Sequence, residues 1–174
     1  MSATHIKESV ENVINHYTEN PDDARGAGVS VTAVMEDGLR CRVESANIPA
    51  IITDMPTGIG GGGSAPSPGR LFRAALASCD ATFIALRAAQ VGIILSTLEV
   101  SVEGDPDDVG TLGFLGIDDS IPAGEHGLRL RFRIGAENAT PEQLHELVEW
   151  IVAHSPVGDS VSRAIPITVD VETV

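Results

Sequence analysis

The first half of the chain alternates between short periodic stretches and turn signals. Apolar residues at positions 6, 10, 13 and 14 share one face of a helix, which predicts an amphipathic helix that ends before Asn20-Pro21. The turn signal Glu36-Asp37-Gly38 lies between two alternating stretches and predicts a β-hairpin. In chain order, the predicted elements are a helix over Ile6–Tyr17, hairpin strands over Val29–Met35 and Leu39–Val43, and a third strand over Ile48–Asp54.

The middle of the chain is a long alanine-rich stretch, Arg70–Gln90, that is apolar on nearly every side. Its charged residues Arg73, Asp80 and Arg87 are spaced so that they form one narrow stripe. A helix of this composition is typical of a protein interior, and we expect a buried central helix here. The preceding segment, Thr57–Gly69, is dominated by glycine and proline and predicts a loop.

Three later stretches alternate between apolar and polar residues, as strands with one buried face do. They are Ser96–Glu103, Gly127–Gly135 and Ile165–Val174. The middle stretch carries Arg129, Arg131 and Arg133 on its polar face, whereas the polar faces of the other two are acidic. We therefore expect the arginine strand between two acidic strands, with ion pairs on one face and the central helix packed on the other.

Two helix starts are marked by capping residues. Thr140-Pro-Glu-Gln143 has the pattern of a capping box and predicts a helix to about Ala153. Ser155-Pro156 predicts the N-cap of another short helix that reaches about Arg163. Together with the strands, these helices predict an α+β fold, in which a largely antiparallel β-sheet packs on a buried central helix.

Size and charge narrow the range of functions. The chain of 174 residues is expected to form a single domain over 1–174, with an N-terminal helix and connector over 1–20 and a core over 28–174. A formal net charge of −14 and a pI near 4.5 disfavour nucleic acid and anionic membranes as partners. Because no apolar stretch is long enough to span a membrane and Met1–Tyr17 lacks the pattern of a secretory signal, we expect a cytoplasmic protein.

Two motifs that suggest ligand binding lack parts that such sites need. Gly58–Gly63 matches G-x-G-x-x-G, but Pro66 and Pro68 separate it from the next helix. A flexible loop is therefore preferred over a phosphate cradle or a tight backbone approach to a partner. His145–Glu149 begins like the zinc motif H-E-x-x-H, but position 149 is glutamate, which favours an exposed helix face. We therefore expect no metal and no cofactor.

The two cysteines, Cys41 and Cys79, are predicted to be free thiols because the chain lacks a secretory pattern. Cys79 lies in line with Leu76 and Phe83 on the apolar face of the central helix, where a cysteine is commonly just a small hydrophobic residue. It lies too far from the helix start for the helix dipole to stabilise a thiolate, which would need a neighbouring arginine instead. Cys41 alternates with inward-facing residues of its strand and is also expected in the core.

The order of these features resembles the OsmC/Ohr family of stress-induced, thiol-dependent peroxide reductases. The resemblance rests on the proline-containing loop Ser67–Leu71, the helix segment Ala74–Cys79 and the later sequence Ala153-His-Ser-Pro-Val157, and it spans the chain from about Gly28 to the end. It implies an intertwined homodimer, a peroxidatic cysteine in the central helix and a resolving cysteine just before a proline at a later helix start. Cys79 matches the first cysteine, and the second falls on Ser155.

Two positions depart from the family's pattern. Ser155 cannot form the disulfide that captures the sulfenic acid in the family mechanism. Gly69 stands where organic-hydroperoxide members place a glutamate that orients an activating arginine. The arginine itself is not assigned by this resemblance, and Arg25, Arg70 and Arg73 are the candidates.

Two functions therefore stay open. In the first, a dimeric OsmC-like stress protein reduces a hydroperoxide with Cys79 as its single peroxidatic thiol, and an external thiol or Cys41 completes the cycle; Cys79 and Ser155 are then the candidate catalytic residues. In the second, a non-catalytic OsmC-fold protein binds a small apolar ligand at the dimer interface, with Ser155 only a helix cap. A hydrolase that uses Ser155 and His154 is a weaker alternative, because adjacent residues on one turn seldom point at each other.

Overall fold

The computed structural model describes residues 2–26 and 28–174. The helices are α1 (Ala3–Glu19), α2 (Pro68–Val91), α3 (Gly110–Phe114), α4 (Pro141–His154) and α5 (Pro156–Ser162), and the strands are β1 (Val31–Asp37), β2 (Arg40–Ser45), β3 (Ile51–Thr53), β4 (Leu95–Gly104) and β5 (Leu128–Ala136). By their internal contacts the residues form two units, Lys7–Ala75 and Leu76–Val174 with residues 2–6. In the described part of the chain, no helix combines the length and apolar character that a membrane span requires.

The first unit contains the predicted hairpin and third strand. β1, β2 and β3 form an antiparallel sheet in that order, with Val31 opposite Ser45 and Cys41 opposite Thr53. The hairpin turn places Gly38 at a φ of 54°, a conformation that favours glycine over residues with a side chain. The predicted hairpin is therefore confirmed, and β1 is exposed along its whole length.

The second unit contains the predicted pairing between an acidic and a basic strand. β4 and β5 are antiparallel, and their register places Glu99 opposite Arg133 and Glu103 opposite Arg129. The Arg133 guanidinium lies 2.6 Å from the Glu99 carboxylate, and Arg131 lies 3.7 Å from Glu103. Opposite charges thus face each other across the strands on the polar face, in agreement with the observed register.

The apolar face of this sheet packs on two helices, as the α+β prediction requires. Ile84 and Ala88 of α2 and Leu147 and Ile151 of α4 form the buried core of the second unit. Partly buried residues of both strands pack against this core: Leu95, Leu98 and Val100 from β4, and Phe132 and Ile134 from β5. The α+β class, with antiparallel strands on a central helix, is confirmed.

The predicted strand over Ile165–Val174 is wrong for the chain as it is described. This segment has no strand partner, and Val169 and Val171 are 74% and 81% exposed. The arginine strand β5 is consequently paired on one side only, and the acidic residues Asp170 and Glu172 do not extend its ion-pair ladder. Alternation shows which face of a segment can be buried, but it does not show which strand, if any, the segment pairs with.

Candidate thiol site

The candidate cysteine lies on α2, next to the most buried stripe of that helix. Leu76, Asp80, Ile84 and Ala88 follow each other at intervals of four residues and are all at most 2% exposed. A spacing of four residues keeps side chains on one helix face, so Asp80 occupies a core position among apolar neighbours. Cys79 precedes Asp80 at the border of this stripe and is a half-buried free thiol.

Ser155 is held by two helices at once. Its backbone N–H donates to the Ile151 carbonyl at the end of α4, and its carbonyl accepts from Asp159 N at the start of α5, both at 2.8 Å. The Ser155 hydroxyl caps α5, because Oγ accepts a hydrogen bond from Gly158 N at 3.1 Å. The predicted N-cap is therefore confirmed, and the hydroxyl is fixed in place and 1% exposed.

The structure brings the two predicted site residues together. Ser155 Oγ donates a hydrogen bond to Cys79 Sγ at 3.5 Å, across 76 residues of sequence. Gly158 keeps this junction close to α2, since a Cβ at that position would lie 3.1 Å from Ser155 Oγ and 3.9 Å from Leu76 Cδ1. The Cys79 sulfur is thus in contact with a buried hydroxyl whose direction the α4–α5 junction controls.

Asp80 is the buried acidic group beside this contact. Its side chain is 1% exposed, and Oδ1 is a buried oxygen without a hydrogen-bond partner among the described residues. Burial raises the pKa of the Asp80 carboxyl, and a hydrogen bond with Ser155 acts in the opposite direction with a smaller effect. Burial therefore makes ionisation of Asp80 more costly than it is in water.

The sequence analysis missed Asp80 as a member of the site. It was grouped with Arg73 and Arg87 in a charged stripe, since the three residues are seven positions apart. The spacing of four from Leu76 and to Ile84 is the sequence feature that indicates its burial. Only the tertiary structure shows that Ser155 reaches the same place.

Arg25 and His154, which the sequence analysis considered for the site, have other surroundings. Arg25 is exposed and forms an ion pair with Asp22 at 3.3 Å, and Arg70 and Arg73 lie in the first two turns of α2. The His154 ring stacks on Trp150 with centroids 4.1 Å apart, and its Nδ1 lies 2.7 Å from the Trp150 carbonyl oxygen. This placement offers no support for a Ser155–His154 hydrolase.

The glycine-rich loop of the first unit binds the carboxylate of Asp54, a residue of the same unit. The 2%-exposed Asp54 carboxylate accepts hydrogen bonds from the backbone N–H groups of Met55, Gly62 and Ser64 and from the Ser64 hydroxyl. These bonds lower the pKa of Asp54 to about 2, with those from Ser64 contributing most. The loop amides that a phosphate would need are therefore used on Asp54.

Gly61 lies against the backbone of its own chain, an explanation of the glycine-rich sequence that the sequence analysis did not consider. A Cβ at Gly61 would overlap the Met55 carbonyl, and one at Gly62 would lie 2.9 Å from Asp54 Oδ2. Gly63 N also donates to the Met55 carbonyl at 3.1 Å. The loop is thus closed by its own backbone.

The residues that resemble a zinc motif lie on α4 without a metal-binding arrangement. His145 Nδ1 is 2.7 Å from the Pro141 carbonyl oxygen. Within residues 2–26 and 28–174, no three His, Cys, Asp or Glu side chains lie close enough together to hold a metal ion.

A cavity of about 320 Å³ opens between α2 and α4 in the second unit. Its wall includes Arg87, Glu146 and Trp150, and the Arg87 guanidinium lies over the Trp150 ring at 4.7 Å. Cys79 and Ser155 are not among its lining residues. This cavity is therefore distinct from the thiol site.

Comparison with known proteins decides the family. A family model described as "OsmC-like protein" matches residues 61–170, which is more than half of the chain and includes Cys79 and Ser155. The chain belongs to the OsmC-like family. A search of the curated proteins found no match.

Solved structures of OsmC-like proteins share its fold. An OsmC-like protein from Mycoplasma pneumoniae is 16% identical with a TM-score of 0.62, covering 79% of this chain and 89% of its own. An OsmC-like protein of unknown function from Vibrio cholerae is 12% identical with a TM-score of 0.63, covering 78% and 94%. An organic hydroperoxide resistance protein from Legionella pneumophila is 19% identical with a TM-score of 0.52, covering 79% and 90%. The chain thus has the fold that occurs in stress and hydroperoxide resistance proteins.

Proposed function

We propose that this OsmC-like protein is a thiol-dependent hydroperoxide reductase that uses Cys79 as its single peroxidatic cysteine. The observation that carries the proposal is the 3.5 Å hydrogen bond from the buried Ser155 hydroxyl to the half-buried Cys79 sulfur. A donor aimed at sulfur stabilises the thiolate, which is the nucleophilic form of cysteine. The family membership and the hydroperoxide resistance proteins of the same fold support this activity.

The reaction needs one thiolate and two equivalents of an external thiol. The Cys79 thiolate attacks the distal oxygen of an organic hydroperoxide, the O–O bond breaks, and the alkoxide takes a proton from solvent to leave as an alcohol. One external thiol then condenses with the Cys79 sulfenic acid to give a mixed disulfide and water. A second external thiol releases Cys79 as a thiol and leaves as the oxidised disulfide.

Ser155 has a different part in this reaction from that of a resolving cysteine. It cannot form a disulfide, so it leaves the sulfenic acid available to a thiol from outside the chain. Cys41, in the central strand of the first unit, is the other thiol of the chain and stays a candidate for the resolving step. We treat Cys79 and Ser155 as the site and the whole chain as one OsmC-like domain.

The proposal includes a homodimer. In the described residues, β1 exposes Val31, Val34 and Met35, and the unpaired C-terminal segment 165–174 exposes Ile167 and Val169. Apolar surface of this extent on two extended segments is typical of chains that bury it against a partner. A second copy of this chain is the partner that we propose.

The test is to expose the Cys41→Ser protein to cumene hydroperoxide and to trap the product with dimedone for mass spectrometry. We expect a dimedone adduct on Cys79 and turnover of the peroxide when a dithiol is added. Cys79→Ser in the same background is the matched control and should give neither.

A Cys79 that cumene hydroperoxide leaves reduced would contradict the proposal. That result would favour the alternative, a non-catalytic OsmC-fold protein that binds a small apolar ligand. Native mass spectrometry of the purified protein would then be used to look for a retained ligand.

A further inference from the structure

We propose that the cavity between α2 and α4 binds a small zwitterion, an α-amino acid with an apolar side chain. The proposal rests on the wall of this cavity, which combines a positive charge, a negative charge and apolar side chains. Cys79 and Ser155 do not line the cavity, so the inference goes beyond the proposed reductase activity and does not depend on it.

Arg87 supplies the positive charge of the wall. Its guanidinium lies over the Trp150 ring at 4.7 Å, and its Nη1 donates to Gln90 Oε1 at 3.5 Å, the long end of the hydrogen-bond range. Among the described residues no carboxylate lies within ion-pair distance of Arg87, whereas Arg131 and Arg133 both pair with glutamates. The planar fork of N–H donors on a guanidinium matches a carboxylate, which makes Arg87 suited to the carboxylate of a ligand.

Glu146 supplies the negative charge of the wall. It is an exposed residue of α4, one turn before Trp150, and it forms no ion pair within the part of the chain that the structure describes. Glu146 and the net charge of −14 repel a ligand that carries only a negative charge, and Arg87 repels one that carries only a positive charge. A zwitterion avoids both penalties, since its carboxylate pairs with Arg87 and its ammonium group with Glu146.

Apolar side chains complete the wall and suit a hydrocarbon group on the ligand. They are those of Val91, Ile93 and Leu147, together with the indole ring of Trp150. The volume of about 320 Å³ lies at the lower end of the range of small-molecule sites, about 300–1,000 Å³. An α-amino acid with an apolar side chain combines both charges and an apolar group in a molecule of this small size.

Hydrogen bonds hold the two sides of the cavity together. Gly92 ends α2 with a φ of 75°, and Ile93 N donates to the Ala88 carbonyl at 2.8 Å. The Asn138 side chain then links the segment after α2 to the segment before α4: Nδ2 donates to the Gly92 carbonyl at 2.8 Å, and Oδ1 accepts from Ile94 N at 2.7 Å. The cavity is therefore formed without a ligand, which lowers the ordering cost of binding.

The test uses Trp150, the only tryptophan of the chain, as its reporter. Its indole N–H gives one signal in a nitrogen–proton correlation NMR spectrum of the full chain, which is followed as L-leucine or L-phenylalanine is added to millimolar concentration. We expect this signal to shift and to saturate. The matched ligand controls are the acids without an amino group, isocaproate and phenylpropanoate, and the amines without a carboxylate, isoamylamine and phenylethylamine. Each control should bind about tenfold more weakly than its amino acid, or not at all.

Two substitutions test the charged residues of the wall. Arg87→Gln removes the positive charge and Glu146→Gln the negative charge, and each should raise the dissociation constant about tenfold or more. Glu149→Gln is the matched control, because Glu149 is an exposed residue three positions further along α4 that does not line the cavity. It should bind the amino acids as the parent does.

Three results would overturn the proposal. The first is a Trp150 signal that neither amino acid shifts. The second is an acid or an amine that binds as tightly as its amino acid, which would show that the cavity recognises one charge only. The third is an Arg87→Gln or Glu146→Gln protein with the affinity of the parent. Because the ligand controls are measured on the unsubstituted protein, the test stands even where a variant does not fold.

Discussion

Two buried aspartates of this chain have opposite environments. Asp54 accepts four hydrogen bonds within its loop, whereas Asp80 has an oxygen without a partner among the residues that the structure describes. The pKa of Asp54 is therefore lowered to about 2, and the pKa of Asp80 is raised. A lowered pKa means that ionisation stabilises the folded state, and a raised pKa means that ionisation opposes it.

Asp54→Asn should lower the melting temperature at pH 7 by several degrees, because an amide places donors against the loop amides. The unfolded Asp54 titrates near 3.8 and the folded one near 2, so its contribution is present above 3.8 and is lost as the pH falls toward 2. The gap in melting temperature between variant and parent should narrow over this interval. Thermal unfolding followed by circular dichroism at pH 7, 4 and 2.5 measures it.

The exposed Asp159→Asn serves as the control for this prediction and should differ little from the parent at pH 7. A gap that stays constant down to pH 2.5, or no gap at pH 7, would show that the Asp54 carboxylate does not stabilise the loop.

At the scale of elements, local sequence predicts where the capped helices begin but does not predict the structure of the glycine-rich loop. Thr140 and Gln143 form the capping box that the sequence predicts, with hydrogen bonds of 3.3 and 2.9 Å. The loop is held by contacts with Asp54 and Met55, and no turn signal in the sequence predicts these contacts. Local signals specify helix ends, whereas a loop built on its own backbone needs contacts between residues several positions apart.

Gly61→Ala should destabilise the first unit, because its Cβ would overlap the Met55 carbonyl. The loop must shift to relieve the overlap, and overpacking of this kind costs about 1–3 kcal/mol. Gly58→Ala is the matched control, since a Cβ there meets no atom within 4 Å. Urea unfolding of the two variants compares them directly, and equal free energies of unfolding would contradict the close approach at Gly61.

At the scale of the whole chain, the sequence predicts the β4–β5 sheet correctly but predicts a C-terminal strand that does not form. Opposite charges predict the register of β4 and β5, and their apolar faces predict the helix packing, because both follow from alternation. The same alternation over 165–174 predicts a strand that the chain does not form by itself. The influence of Ser155 on the pKa of Asp80 was beyond local reasoning, since the two residues are 75 positions apart in the sequence.

The proposed homodimer would explain why apolar and polar residues alternate in the C-terminal segment, because pairing with a second copy would bury its apolar side. Replacing Val169 and Val171 together by aspartate should convert the dimer to monomer at micromolar concentration. The double variant Asp170→Asn, Glu172→Gln changes the other face of the same segment and should stay dimeric. Light scattering coupled to size-exclusion chromatography gives the mass of each.

A monomeric parent protein would contradict the homodimer itself. A dimer that persists with aspartate at positions 169 and 171 would leave the homodimer in place and remove the C-terminal segment from its interface.

The burial of Asp80, with one carboxyl oxygen lacking a partner among the described residues, also bears on how this protein could be engineered. A buried acid without a full set of partners costs folding energy, so a laboratory selection for heat resistance would favour apolar residues at position 80. Because position 80 directly follows Cys79 in the chain, each selected variant should also be assayed for oxidation of Cys79 by cumene hydroperoxide.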